Sequence, residues 1–406
     1  MERKHLDLSL AINDDSYAEG DEKDAAAYQR LIDQNPKSLL RSSWEFKIKL
    51  DNIAAEQSRS KAAAKRREAD NLDRQIAEAR EKLANDQNNA GQDDAAPDNQ
   101  QDDQPATPAP VVNYFDLGYK SDTAGDYASA MNYYQQAAAQ GNAAAMGNIG
   151  YLYYSGHGVT QDYAQAMQWY QKAAAGGDAS AMNGIGALYD NGHGVAQDYA
   201  QAMQWYQKAA AGGNANAMNN IGNLYYSGHG VAQDYAQAMQ WYQKAAAGGY
   251  AAAMYNIGVL YANGLGVPQD YAQAMQWYQK AATGGNANAM NNIGNLYYNG
   301  RGVPQDYTQA MQWYQKAAAQ GDANAMHNIG YLYSRGQGVA QDYAQAMQWH
   351  QKAAAEGNVS AMFSIGVLYY NGQGVAKDRD MAIQWIKKAA ALGDQGAIDT
   401  LKKLGQ

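Results

Sequence analysis

Apolar residues in the C-terminal part of this chain recur at the spacings of three and four that place them on one side of a helix. The pattern repeats every 36 residues, is typified by residues 214–249, and carries one tryptophan in each copy. A fixed period of this length predicts a solenoid of helical hairpins, in which each unit packs on its neighbours. The tryptophans are Trp169, Trp205, Trp241, Trp277, Trp313, Trp349 and Trp385.

The period divides residues 114–393 into one irregular unit and seven full units. In the irregular unit, Tyr133 stands where the others have tryptophan, and the loop between the two helices is four residues shorter. Residues 394–406 form a further half-unit, which we expect to cap the array because a solenoid needs a more polar end element. The full units run 142–177, 178–213, 214–249, 250–285, 286–321, 322–357 and 358–393.

Each unit divides into two helices, here called helix A and helix B. In the third unit Asn214 is a predicted N-cap of helix A, and Gly228 suits a left-handed helix end. Asp234 begins helix B, and Gln237 three residues later predicts a capping box. Gly222 in the middle of helix A costs about 1 kcal/mol of helix propensity. We therefore expect it to permit a close helix approach that a large residue would overpack.

The first 85 residues follow another pattern. Residues 6–12 and 44–50 alternate apolar and polar positions, which predicts two half-buried strands, and residues 22–34 predict a helix. Residues 54–85 have heptad-like spacing, which favours either a short coiled coil or a solvated helix on the strands. Two strands rarely form a stable sheet alone. We therefore expect residues 1–85, a small α+β segment, to pair with a second copy in a homo-oligomer or with a partner.

Residues 86–113 are polar, acidic and punctuated by proline, a composition typical of a disordered linker. Six aspartates and no base lie in residues 86–104, whereas residues 142–393 hold 12 acids and 12 bases. The net charge of −9 therefore comes from the N-terminal part of the chain. Without clustered Lys and Arg, the array is not expected to bind nucleic acid.

The chain contains no cysteine, which excludes disulfides, thiolate metal sites and cysteine nucleophiles. No run of 18 apolar residues occurs, so no membrane insertion is predicted. The N-terminal residues lack the apolar run of a secretory signal. We therefore expect a cytoplasmic protein, although export as an effector would leave no such mark.

Candidate catalytic and metal-binding residues are few. His157, His193 and His229 share one loop position in three consecutive units. Stacked helices lie about 8–10 Å apart, too far for two such loops to share one metal ion. The position holds Leu265 or Arg301 in other units, which indicates tolerated variation at a loop tip. No nucleotide-cradle, zinc-protease or nucleophile-elbow motif occurs, so we predict no cofactor, no metal site and no enzyme activity.

The string A-M-x-x-I-G-x-L-Y-x-x-G-x-G-V-x-x-D-Y-x-x-A-M-x-W-Y-x-K-A-A recurs through residues 142–393 and resembles the Sel1-like repeat, a relative of the tetratricopeptide repeat. The resemblance implies an all-α, right-handed α/α superhelical solenoid that acts as an adaptor or scaffold, in some bacteria in signalling or host interaction. A cysteine-rich branch of the family is linked to β-lactam or cell-wall ligands, which gives an alternative function. A third function to consider is that of a structural spacer with no discrete partner.

Comparison of the units with one another predicts a partner-binding face. Helix B is copied almost unchanged, whereas helix A varies at three positions that lie on one side of the helix. Packed positions would resist such variety, so we expect these positions to be exposed and to line the concave surface. We name them the first, second and third positions, and together the A face. They are Gly147/Tyr151/Tyr154, Asn183/Ala187/Asp190, Asn219/Asn223/Tyr226, Tyr255/Val259/Ala262, Asn291/Asn295/Tyr298, His327/Tyr331/Ser334 and Phe363/Val367/Tyr370.

The A face is rich in tyrosine and asparagine, a mixture typical of protein-recognition surfaces. The hypothesis is that it binds an extended peptide or a partner helix, and the alternative is neutral drift on a solvated face. The predicted partner-binding residues are Tyr151, Tyr154, Asn183, Asp190, Asn219, Asn223, Tyr226, Tyr255, Asn291, Asn295, Tyr298, His327, Tyr331, Phe363 and Tyr370.

Overall fold

The computed structural model describes residues 112–405, which form seventeen α-helices and no strand. A and B helices alternate along the chain, so the prediction of an all-α solenoid is confirmed. The helices are α1 (Tyr114–Thr123), α2 (Tyr127–Ala139), α3 (Ala143–Ser155), α4 (Tyr163–Ala175), α5 (Ala179–Asn191), α6 (Tyr199–Ala211), α7 (Ala215–Ser227), α8 (Tyr235–Ala247), α9 (Ala251–Asn263), α10 (Tyr271–Thr283), α11 (Ala287–Asn299), α12 (Tyr307–Ala318), α13 (Ala323–Arg335), α14 (Tyr343–Ala355), α15 (Val359–Asn371), α16 (Arg379–Ala391) and α17 (Gln395–Leu404).

The predictions for the N-terminal part of the chain fall outside the described residues. They comprise the α+β segment and its pairing at residues 1–85, and almost all of the linker at residues 86–113. Of that linker the structure describes Val112 and Asn113, and Asn113 caps α1.

The apolar core lies between successive units as much as within them. One cluster joins Met203 and Tyr206 of α6 to Ile221 and Leu224 of α7, the A helix of the next unit. All four side chains are buried, at 7% exposure or less. Trp241 of α8 packs against the same cluster. A single unit therefore cannot bury its own apolar residues, which is the physical reason for a stacked array.

The helix ends follow the sequence, with one difference. The Asn214 side chain accepts a hydrogen bond from the Ala217 amide at 2.9 Å, and Gly228 ends α7 in the left-handed conformation, with φ of 75°. The Asp234 side chain accepts from the Gln237 amide at 2.9 Å, as predicted. However, the Asp234 amide donates to the carbonyl of Tyr225 at 2.9 Å. The Gln237 side chain therefore does not complete the predicted capping box, because the Asp234 amide is bonded to α7 instead.

The loop histidines have a structural contact that the sequence comparison missed. His157, His193 and His229 each stack on the first tyrosine of the B helix in the preceding unit, with ring centroids 4.5–4.6 Å apart. In a later unit Arg301 occupies this position and lies over Tyr271. The interpretation of this position as tolerated loop-tip variation was therefore incomplete, because its side chains pack on the preceding unit.

Candidate partner-binding face

The structure divides the A face into an exposed part and a buried part. Tyr151 and Tyr370 are 50% and 39% exposed, and Asn223 is also exposed. Asn219 and Asn291, by contrast, are buried, at 6% and 8% exposure. The expectation that all three positions are exposed is wrong for these two first positions and for Gly147, which is also buried. The other predicted residues are half-buried, namely Tyr154, Asn183, Asp190, Tyr226, Tyr255, Asn295, Tyr298, His327, Tyr331 and Phe363.

First-position asparagines are buried because they join successive A helices. Asn256 of α9 donates from its side-chain amide to the side-chain oxygen of Asn219 at 2.9 Å. Asn328 donates to Asn291 in the same way at 3.0 Å. Asn220 and Asn183 form the third such pair, at 3.1 Å. These amides satisfy each other's hydrogen-bonding groups at the interface between units, where unpaired groups would be costly.

Replacing Asn256 with alanine should lower the free energy of unfolding by about 1–2 kcal/mol, because it leaves the buried Asn219 oxygen without this donor. Urea unfolding followed by circular dichroism measures the change. Asn263→Ala is the matched control, since Asn263 is an exposed asparagine at the end of the same helix. Equal losses in the two variants would show that the inter-unit bond contributes nothing specific.

Second and third positions provide acceptors for buried phenols of helix B. The Tyr206 hydroxyl donates to Asp190 at 3.0 Å, and the Tyr242 hydroxyl donates to Asn223 at 2.8 Å. The Tyr206 side chain is only 1% exposed. Its pKa is raised above the ordinary value, chiefly by burial and secondarily by the nearby Asp190 charge. The phenols therefore remain protonated donors at neutral pH. The available sequence signal was a tyrosine at the same position of six B helices, with an asparagine or aspartate at position two or three in the units of Tyr206, Tyr242 and Tyr314.

One unit replaces this tyrosine with histidine. His350, 2% exposed, packs against the first-position residue His327 with ring centroids 5.0 Å apart. Burial, and secondarily the neighbouring His327, lowers the pKa of His350 to about 3, and burial also lowers the pKa of His327. Both rings are therefore neutral at physiological pH. Their Nδ1 atoms are buried and have no hydrogen-bond partner among residues 112–405.

A groove of about 340 Å³ lies between α11 and α13. Tyrosines and amides form most of its walls, and it contains no carboxylate, lysine or arginine. In residues 112–405 no group of three or more His, Asp or Glu side chains is arranged to hold a metal ion. The groove lining therefore carries no formal charge when His327 is neutral. Its lining residues are Asn295, Tyr298, Asn299, Tyr314, His327, Asn328 and Tyr331.

Eight consecutive copies of the Sel1 repeat family model match the chain. The chain belongs to the Sel1 repeat family. The Sel1 matches begin one residue later than the predicted full units and keep the same period, so the predicted resemblance is confirmed. The matched ranges are 114–142, 143–178, 179–214, 215–250, 251–286, 287–322, 323–358 and 359–394.

Two solved bacterial structures are similar to this Sel1 repeat chain. One is a protective antigen present in uropathogenic Escherichia coli strains and displaying an SLR fold, with 36% identity and a TM-score of 0.56. The match covers 72% of this chain but only 63% of the antigen. The other is a Sel1 repeat protein from Oxalobacter formigenes, with 37% identity and a TM-score of 0.56, covering 60% of this chain and 99% of that one. No curated protein sequence matches this chain.

The Sel1 repeat fold is a scaffold that usually serves protein–protein interaction, and proteins built from it are generally non-catalytic. Protein partners are therefore the class of ligand that the fold suggests. None of the helices between residues 112 and 405 has the length and apolar character needed to cross a membrane.

Proposed function

We infer that this Sel1 repeat chain is a non-catalytic adaptor whose A face binds an extended peptide or a partner helix. The partly exposed row of aromatic and amide side chains at the second and third positions carries this inference, with Tyr151, Asn223 and Tyr370 the most open to solvent. Tyrosine offers a large contact area at low entropic cost, and asparagine offers adaptable hydrogen bonds.

The buried part of the A face has a different role in this proposal. First-position residues such as Asn219 and Asn291 lie between units and hold successive A helices in register. They position the row without contacting the partner. Of the predicted residues, the proposed contact set is therefore Tyr151, Tyr154, Asp190, Asn223, Tyr226, Asn295, Tyr298, Tyr331 and Tyr370.

Selection of peptides from a random library on the full chain tests the proposal. Selected peptides should bind at least about tenfold more weakly to a variant with Tyr226, Tyr298 and Tyr331 changed to alanine, since loss of anchor residues typically costs more than 1 kcal/mol. Asn223 and Asn295 are left unchanged because they accept hydrogen bonds from buried phenols.

The matched control changes Gln240, Gln276 and Gln312 to alanine, which are exposed residues on the B helices of three units. This variant should retain the affinity of the original chain. Both variants should keep their helical circular dichroism. Selection that yields no peptide, or equal binding by the two variants, would contradict a recognition role for the A face.

A further inference from the structure

Two cations lie on tyrosines of the A face in the last two full units. The guanidinium carbon of Arg335 lies 5.3 Å from the ring centroid of the second-position residue Tyr331. The Nζ atom of Lys377 lies 5.8 Å from the ring centroid of the third-position residue Tyr370. Both cationic side chains are exposed. The C-terminal end of the A face therefore presents positive charge beside aromatic rings.

Arg335 differs from its counterparts at the last residue of helix A. That residue is asparagine in four of the other full units and serine in two. In the preceding unit the side chain of Asn299 donates to the carbonyl of Asn295 at 2.8 Å, within its own helix. The Arg335 side chain forms no hydrogen bond or ion pair within residues 112–405. Its N–H groups are therefore available to a partner.

Lys377 is likewise an exception at its loop position. The six other full units have glutamine there. Each of these glutamines donates to a third-position carbonyl, as Gln341 does to Ser334 at 2.8 Å. Lys377 forms no ion pair in the part of the chain that the structure describes. In both units a side chain that bonds within the chain is therefore replaced by an exposed cation.

The aspartates that follow the two loops do not pair with these cations. Asp342 is the N-cap of α14 and Asp378 is the N-cap of α16, and each accepts from a backbone amide of its own helix at 2.9 Å. Neither forms an ion pair between residues 112 and 405. The positive charges of Arg335 and Lys377 therefore remain open to a group from outside the chain.

The lysines of helix B are different, because they occur in every full unit. Each lies near the end of its helix and over a tryptophan ring, as Lys316 does over Trp313 at 4.1 Å. A cation in the last turn stabilises any helix of this kind. Arg335 and Lys377, by contrast, each occur once and lie on the face that varies between units. They therefore distinguish one end of the A face from the other.

The groove between α11 and α13 lies beside Arg335. Tyr331, which carries the guanidinium on its ring, lines the groove, and so does Tyr298. Burial raises the pKa of Tyr298, and the charge of Arg335 opposes this rise, so the guanidinium also acts on the second ring. A segment bound here meets an uncharged groove of about 340 Å³ with a cation at its side.

We propose that the C-terminal end of the A face binds an acidic segment of the partner peptide. Aspartate or glutamate side chains pair with Arg335 and Lys377, and an uncharged neighbouring residue lies in the groove. Guanidinium and carboxylate groups form strong, often bidentate hydrogen bonds. Asp190, the charged A-face residue of an earlier unit, would repel such a segment. The proposal rests on the proposed function and adds to it the charge of the partner.

The test variant is Arg335→Asn with Lys377→Gln, which introduces the residues that other units carry at these positions. Both replacements restore side chains that bond within the chain, so the urea midpoint of unfolding should not fall. Affinity for the peptides selected on the full chain should fall about tenfold at low salt, shared between two exposed ion pairs. The loss should decrease as the salt concentration rises.

The matched control is Lys316→Gln with Lys352→Gln. It removes the same two charges from the B helices of two units, where both side chains are exposed. This variant should keep the affinity of the original chain. Binding is measured by fluorescence anisotropy with amidated peptides, so that side chains supply their only carboxylates.

The second arm changes the peptide. Each aspartate or glutamate of a selected peptide is replaced singly by its amide. At least one replacement should weaken binding to the original chain by about threefold to fivefold. The same replacement should have no effect on the test variant, because the charge that it meets is absent. A charge-reversed chain, Arg335→Glu with Lys377→Glu, should select peptides enriched in lysine and arginine instead.

Several results would overturn the acidic-segment proposal. They are unchanged affinity in the test variant, equal losses in the test variant and the control, selected peptides without aspartate and glutamate, and binding that requires a free C-terminal carboxylate. If only the variant with Tyr226, Tyr298 and Tyr331 changed to alanine loses binding, the proposed function stands and the acidic segment is refuted. If neither this variant nor the test variant loses binding, both proposals fail.

Discussion

Replacing Gly222 with alanine should destabilise the array by about 2 kcal/mol, although alanine is the better helix former. The added Cβ atom would lie 2.5 Å from the Cε1 atom of Tyr242, which is far inside normal contact. Tyr242 is 2% exposed and its hydroxyl is held by Asn223, so the ring has no space to move. Overpacking of about 3 kcal/mol therefore exceeds the gain of about 1 kcal/mol in helix propensity.

Gly147→Ala is the matched control for this prediction. Gly147 also lies inside an A helix, but a Cβ atom there meets only ordinary contacts, the nearest at 3.5 Å. The same substitution should therefore stabilise the chain by about 1 kcal/mol. Urea unfolding of the two variants measures both changes. A stabilising effect of Gly222→Ala would show that α7 and α8 separate at little cost.

The histidine pair should make the array lose stability in acid. The unfolded-state pKa of histidine is about 6.5, whereas burial lowers the pKa of His350 to about 3 in the folded chain. As the pH falls below about 6.5, His350 binds a proton in the unfolded chain but stays neutral in the folded chain. Stability is therefore complete above this pH and decreases toward the folded pKa, by about 1.4 kcal/mol per pH unit for His350. His327, whose pKa is also lowered, acts in the same direction.

The variant His327→Asn with His350→Tyr restores the residues found at Asn291 and Tyr314 in the preceding unit. Between pH 7.5 and 4.5 the original chain should lose about 3 kcal/mol more unfolding free energy than this variant. The rest of the sequence is common to both chains, so the difference between the two profiles isolates the histidine pair. The reverse exchange, Asn291→His with Tyr314→His, should create a second buried histidine pair and so add a further loss of unfolding free energy in acid. Parallel pH profiles for all three chains would contradict a neutral buried pair.

Features encoded within a few residues were the most predictable from the sequence. The Asn214 cap and the left-handed Gly228 were correctly predicted because each depends on residues of one helix end. The 36-residue period was predicted because the copies are nearly identical in sequence. The close approach at Gly222 was also predicted correctly, since only glycine tolerates such a contact. By contrast, the capping box at Asp234 was half right because its backbone amide bonds to Tyr225, nine residues earlier.

The candidate site was less predictable for the same physical reason. Variation between units correctly indicated that Tyr151 and Asn223 lie on an open face. It wrongly placed Asn219 and Asn291 in solvent. Their burial depends on Asn256 and Asn328, which stand 37 residues later and meet them only when two units stack. Variation between copies therefore does not by itself show that a position is exposed.

Helical periodicity and glycine conformation act locally, so the amino-acid pattern was enough to predict the Sel1 repeat architecture, the unit boundaries and the helix ends. The tertiary structure alone decided which variable residues reach solvent. It also decided which phenols find an acceptor and that His327 meets His350, since these contacts join residues 16 to 37 positions apart. These contacts form only when the helices stack, so the local spacing of residues along the chain does not predict them.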